Sequence, residues 1–223
     1  MKLIFLLIFY CKIMKEFEDY YLYDTTQGSQ DWLEMRKGRI TMSNIGKVVG
    51  HCPYEKYDPV RLAKLFKGEI KQVFSPEAKE RMQKGNDYEP IVRSYLEKKL
   101  SKTINETGFA VWKADTRFGA SLDGIIDDDT GIEIKCPGRM YKPLINNKDM
   151  SNTKCIWKSH YDQIIGNGVI TGRKNMIYCV YGIEDKKIYI QNVKVDYDYW
   201  FNFLYPKACE FYDKYMVDVD KTY

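Results

Sequence analysis

Hydrophobic spacing changes twice along the chain, from helical period to strand period and back. The segment "SQDWLEMRKGRITMSNIGKVVG" predicts a short helix, a turn at Lys37-Gly38 and a second helix. Ser29 is suited to cap the first and Ser43 the second, which carries Ile45, Val48 and Val49 toward a core before Gly50 ends it. "PVRLAKLFKGE" predicts an amphipathic helix closed by Gly68. A longer helix is expected from about Ser75 to Leu100, with Met82, Ile91, Tyr95 and Leu96 on its buried face. Pro90 should kink or restart it, which places Glu89 at an irregular point. From "GFAVWKAD" onward the residues turn branched and aromatic, and "FGASLDGIID" and "GIEIKCP" predict strands joined by a hairpin turn, "DDDTG". "SHYDQIIGNGVITG" returns to helical spacing, "KNMIYCVYG" and "KKIYIQNVKV" predict a second hairpin across "IEDK", and the aromatic tail "DYDYWFNFLYPKACEFYDKYM" predicts a last helix.

Helices before and after a central mixed β-sheet predict an α/β fold. With 223 residues and no Pro/Gly/Ser-rich linker, one domain is expected over residues 27–223, preceded by an N-terminal tail at 1–26. The opening "MKLIFLLIFYCKIMK" has an apolar run too short to span a bilayer and lacks the small-residue cleavage site of a secretory signal. A start at Met14 would remove it, so the tail is expected to be an upstream in-frame extension or disordered rather than an export signal.

Charge adds little: a net charge of +4 permits a polyanionic partner without requiring one. The six cysteines form no C-x-x-C pair, which argues against a zinc ribbon or an iron–sulfur cluster.

Chemistry concentrates in "SLDGIIDDDTGIEIKCP", where Asp123, Glu133 and Lys135 sit within otherwise apolar strands. Buried charges of this kind are costly unless paired or bound to metal. With a five-residue turn, the hairpin places Asp123 opposite Lys135 and close to Glu133, and all three side chains share one face. Asp123 and Glu133 can then ligate a hard divalent cation, helped by a main-chain carbonyl near Ile134, with Lys135 beside it. That arrangement suits phosphodiester hydrolysis. The bland alternative is a surface salt bridge between Asp123 and Lys135, worth a fraction of a kcal/mol.

Together, "GASLDGIID…GIEIKCP" and the segments around it resemble the YqaJ-like viral recombinase, or lambda-type exonuclease, family of the PD-(D/E)xK nuclease superfamily. "QDWLEMRKGRITMS" resembles the family's N-terminal element, where an arginine and a serine seven residues later contact the DNA 5′-phosphate; here these are Arg36 and Ser43. "KGNDYEPIVRSYLE" resembles the helix with the first acidic residue, Glu89, and "HYDQIIGNGVITG" the helix with the family's glutamine, Gln163. Ser121 falls where the family has another phosphate-binding serine. The likeness spans Gln27 to about Lys194, and the family's second phosphate-contacting arginine has no match at the same spacing, leaving Arg139 or Lys142 to replace it.

The resemblance implies a restriction-endonuclease-like core, a central mixed β-sheet flanked by helices. It implies a deoxyribonuclease using Mg²⁺, with Mn²⁺ able to substitute, degrading one strand of double-stranded DNA from its end in viral or phage recombination. Asp123, Glu133 and Glu89 would hold the metal, Lys135 and Gln163 would complete the catalytic set, and Arg36, Ser43, Ser121 and Arg139 would hold phosphate. A single-strand annealing protein and a homo-oligomer are implied as partners, without a membrane. The expected setting is soluble and intracellular, in a host cell's cytoplasm or nucleus if the chain is viral. A structure-specific endonuclease on the same core and a non-catalytic DNA-binding relative are the alternatives. His51 and His160 are expected to be structural.

Overall fold

The structure, a computed structural model, describes residues 14–217. The apolar run that opens the chain, with the question of which methionine starts it, lies outside these residues. Two mixed sheets, rather than one continuous sheet, form the frame. The first has the strands β1 (Met14–Glu16), β2 (Tyr20–Tyr23), β3 (Ile40–Thr41), β4 (Phe109–Trp112) and β5 (Phe118–Ala120), in the order β1-β2-β4-β5-β3. The second has β6 (Gly124–Ile125), β7 (Thr130–Lys135), β8 (Asn175–Gly182) and β9 (Lys187–Lys194) in sequence order. The first two strands, which the sequence places in a tail, pair onto β4 through Tyr20–Trp112 and the residues that follow, and Tyr20 is buried.

The helix α1 (Gln30–Arg36) lies between β2 and β3, and α2 (Met42–Val48), α3 (Pro59–Lys67) and α4 (Pro76–Leu100) follow between β3 and β4. Ser29 caps α1 as expected, accepting from the Trp32 N–H. Ser43 does not cap α2: the cap position is Thr41, and Ser43 is the second helical residue with its side chain exposed. Gly68 closes α3 in the left-handed conformation at φ 76°. Pro90 lies inside α4, which continues through it as one helix. The buried face of α4 is Val92, Arg93 and Leu96; of the expected residues only Leu96 is buried, while Met82, Ile91 and Tyr95 are exposed. The error is a rotation of one residue at Ile91/Val92, in a helix whose weak amphipathicity leaves the face poorly defined by sequence.

Parallel pairing of β7 with β8 demands a crossover, supplied by the short α5 (Lys142–Ile145) and by α6 (Lys158–Ile170). Ile132 and Ile134 of β7 pack with Val92, Leu96, Ile104 and Cys179 in a small core of their own, whereas the larger core gathers α2, α6 and the aromatic tail around Trp200. The tail is helical from Tyr197 to Met216, with π-helical stretches at Trp200–Leu204 and Tyr212–Met216.

Small residues let α2 and α6 approach each other closely. A Cβ at Gly46 would lie 2.7 Å from the Ser159 Cβ, and one at Gly166 would lie 2.1 Å from the Met42 sulfur. Larger side chains there would push the two helices apart.

Candidate active site

The β6–β7 hairpin is tighter than a five-residue turn allows. Gly124 pairs with Ile132, Ile125 with Gly131, and the Ile126 N–H donates to the Thr130 carbonyl at 3.0 Å. Asp127 Oδ1 accepts from the Asp129 N–H at 3.1 Å, so the loop closes on itself and Thr130 joins the strand. This register sets Asp123 across from Glu133 instead of Lys135, a slip of two residues that preserves the shared face because side-chain direction repeats every second residue.

Glu133 is 1% exposed and lies at the centre of a polar cluster. Its Oε1 pairs with Lys135 Nζ at 2.6 Å and accepts from Gln163 Nε2 at 2.7 Å, while its Oε2 accepts from Asn167 Nδ2 at 2.8 Å. Lys135 also donates to Gln163 Oε1 at 3.1 Å, closing a three-membered ring of side chains. Asp123 Oδ2 accepts from the Ile134 N–H at 2.7 Å, so the main chain near Ile134 offers a donor to the site. Glu89, on α4, pairs through Oε1 with Arg93 Nη2 at 2.7 Å, and Arg93 is in turn paired with Glu106.

Crowding of carboxylates in a buried place shows in their acidity. Burial, then repulsion by Asp123, pushes the Glu89 carboxyl up to about 7. Asp123 is raised by burial and then by Glu133, and Glu133 is raised by burial with Glu89 adding to it and Lys135 opposing. Burial acts to lower the Lys135 pKa, but Glu133 and Asp123 outweigh it and raise it above the ordinary lysine value. Lys135 is therefore a fixed ammonium near neutral pH, suited to stabilising negative charge and orienting an oxygen rather than to taking a proton.

Among the described residues one ammonium and one guanidinium face Glu89, Asp123 and Glu133, and the guanidinium is shared with Glu106, which leaves the cluster short of positive charge. Among the described residues no set of three His, Cys, Asp or Glu side chains stands ready-made as a metal cage. The donor chemistry nevertheless fits a hard divalent cation. Every donor is a carboxylate oxygen, Asp123 Oδ1 and Glu89 Oε2 accept no hydrogen bond among the described residues, and a carboxylate oxygen holding one donor retains a second lone pair.

A second group has the opposite imbalance. Arg36 donates through Nη2 to Ser43 Oγ at 2.8 Å and to Thr41 Oγ1 at 3.0 Å, and its guanidinium carbon lies 4.1 Å from the centre of the Trp32 ring. Burial lowers its pKa to about 10, and no carboxylate among the described residues pairs with it. Trp32 Nε1 donates to Ser121 Oγ at 2.8 Å, so Arg36, Ser43 and Ser121 are tied together through one indole. A guanidinium satisfied only by hydroxyls and a ring face suits an incoming anion.

The structure thus gathers Glu89, Asp123, Glu133, Lys135 and Gln163 in one place and Arg36, Ser43 and Ser121 in another, two residues of chain apart at Ser121 and Asp123. Arg139 joins neither by a direct contact: it is exposed and paired with Glu184 at 2.8 Å. Lys142 opens α5. His160 is hydrogen-bonded to the Tyr178 hydroxyl at 2.7 Å, and His51 is paired at 2.7 Å with the fully buried Asp162. Asn167, Arg93 and Trp32 belong to the two groups but were not singled out in the sequence.

Against known proteins, the family described as "YqaJ-like viral recombinase domain" matches residues 31–174, more than half of the chain. The chain belongs to the YqaJ-like viral recombinase family. The matched segment contains both groups of side chains. Solved structures agree in fold. An alkaline exonuclease (LHK-Exo) from Laribacter hongkongensis superposes with a TM-score of 0.67 at 20% identity, covering 83% of this chain and 92% of that one. The same protein in complex with dAMP gives 0.67 at 21% identity over the same shares. A phage-related exonuclease from Haemophilus somnus 129PT gives 0.55 at 14% identity, covering 81% of this chain and 93% of that one. At these identities the likeness establishes a shared fold. No curated protein sequence matches the chain significantly. No helix among the described residues is long and apolar enough to cross a membrane.

Proposed function

We propose that this YqaJ-family chain is a Mg²⁺-dependent exonuclease that degrades one strand of double-stranded DNA from a 5′-phosphorylated end. The observation that carries the reading is the juxtaposition of a carboxylate cluster short of cations with an arginine–hydroxyl group short of an anion. A terminal phosphate and a divalent cation would complete the two together.

In this reading Asp123, Glu133 and Glu89 hold the cation, which when bound polarises the phosphate and lowers the pKa of a water. Lys135, held by Glu133 and Gln163, stabilises negative charge at the reacting phosphate and orients the attacking oxygen. Gln163 keeps the ammonium in place by bonding both ends of the ion pair. Arg36 and Ser43 grip the terminal phosphate, with Ser121 positioned by Trp32. Arg139 would have to leave Glu184 to contribute, and its exposure permits that. A single-strand annealing partner and a homo-oligomer follow from the family resemblance as parts of the same proposal.

The test is digestion of 5′-phosphorylated linear duplex beside closed circular DNA, with Mg²⁺ and with EDTA, by the native protein and Lys135→Ala. Loss of the linear DNA alone, dependent on Mg²⁺ and reduced on the order of 10²–10³-fold by the substitution, is expected. Cutting of the circle would replace the exonuclease with an endonuclease, and no cutting of either would leave a DNA-binding relative.

A further inference from the structure

A row of aromatic rings leads from solvent toward Lys135, and neither the carboxylate cluster nor the arginine group uses it. Tyr54 sits on the loop after α2 and is 68% exposed. Its ring centre lies 5.4 Å from that of Trp157 with the planes inclined by 59°. Trp157 is half-buried at the start of α6 and lies 4.1 Å from Tyr141, whose plane is inclined to it by 31°. His160 approaches both rings at 5.5 Å and is anchored to β8 through the Tyr178 hydroxyl. At its inner end the row reaches the site: Tyr178, which holds His160, pairs in register with Glu133 on β7, and Gln163, bonded to Lys135, stands three residues beyond His160 on α6.

Core packing accounts for Trp157, Tyr141 and His160 but not for Tyr54, which keeps most of its surface in water and leans on the others with one edge. Its loop follows α2, the helix that carries Ser43, and the contact of Gly46 with Ser159 fixes that helix against the first turn of α6 beside Trp157. Lys56, Lys142 and Lys158 lie within two residues of the three aromatic residues in sequence, Glu55 beside Tyr54 is paired with Lys47, and the Lys158 ammonium lies 4.3 Å from the centre of the Tyr199 ring. A ring surface open to solvent at one end and adjoining the proposed cleavage site at the other suits a nucleobase of the bound strand. Bases of any sequence can stack on such rings, so the platform adds affinity without sequence readout.

We propose that Tyr54, backed by Trp157 and Tyr141, is a stacking platform for a base near the end of the strand being cleaved. This inference rests on the exonuclease reading and assigns the base-binding side of the same site. Tyr54 acts on binding.

The experiment compares native protein, Tyr54→Ala and Tyr54→Phe on 5′-phosphorylated duplexes with Mg²⁺, using natural ends and ends whose last two 5′ nucleotides are abasic tetrahydrofuran residues. Tyr54→Ala should raise KM about tenfold or more on natural ends, with the loss carried by KM rather than kcat. Tyr54→Phe should restore it. On abasic ends native protein and Tyr54→Ala should share one KM, because the base the ring would hold is missing. An unchanged KM on natural ends, or an equal loss on both kinds of end, would overturn the platform. Failure of the native protein to degrade linear DNA would instead overturn the exonuclease reading, a result visible before any substitution is made.

Discussion

The two groups of polar side chains around Ser121–Asp123 are opposites. The cluster around Glu133 is enclosed and densely hydrogen-bonded, with both glutamate oxygens committed to Lys135, Gln163 and Asn167, yet its carboxylates remain more basic than usual. The group around Arg36 is shallower, is built from neutral hydroxyls and an indole, and leaves its one charge without a counter-ion among the described residues. Hydrogen bonds alone therefore do not neutralise a site, and the kind of charge left over identifies what is missing. One group calls for a cation and the other for an anion, and a metal-bound phosphate end satisfies both.

Removing the charge from the shallow group gives the sharpest break. Arg36→Ala should raise KM for 5′-phosphorylated duplex by about 10- to 100-fold, the scale of a lost hydrogen bond between charged groups, and leave unphosphorylated ends nearly unaffected. Equal losses on both ends would mean that Arg36 supports the fold and not the phosphate.

A smaller effect is expected in the enclosed group. Asn167→Ala strips Glu133 Oε2 of its donor in a place without solvent, which should cost about 1–3 kcal/mol of stability. For a chain of this size the melting temperature should fall by about 2–4 °C for each kcal/mol. Calorimetry would check this, and an unchanged melting temperature would show that Glu133 does not depend on that bond.

A further effect concerns pH. Burial, and then the positive charge of Lys135, lowers the His160 pKa from 6.5 to about 3. The unfolded chain binds this proton more readily, so the contribution of His160 is fully present above pH 6.5 and declines as pH falls from about 6.5 toward 3. Chemical denaturation across pH 4–7 should give a flatter profile for His160→Gln than for the native protein. Parallel profiles would mean that the ring is accessible to protons when folded.

Much of this arrangement was legible because it depends on periodicity. Strand parity placed Asp123, Glu133 and Lys135 on one face even though the assumed turn was two residues too long, since a shift of two leaves parity intact. The Ser29 cap of α1 and the glycine stop of α3 were likewise local signals. What escaped was set by tertiary contact. The buried face of α4 depends on where it meets Ile132 and Ile134, and the division into two sheets depends on pairings distant in sequence. The overlooked residues share a signature: Trp32 precedes Arg36 by four, Arg93 follows Glu89 by four, and Asn167 follows Gln163 by four. Each shares a helix face with a residue that the sequence did single out, and that spacing is a usable guide to its partners.

The single residue between Ser121 and Asp123 gives the molecule a fixed measure. Two residues of chain span at most about 7 Å, so the Cα atoms of Ser121 and Asp123 cannot separate farther than this. Leu122 itself is buried, and its carbonyl is tied by Gln27 Nε2 at 3.2 Å and by Thr107 Oγ1 at 2.9 Å, so the span is clamped from both sides. Under the proposed reading Leu122 works as a ruler. An insertion of one residue beside Leu122 would reverse strand parity and turn Asp123 away from Glu133, so the proposed grip and cleavage point would be uncoupled together.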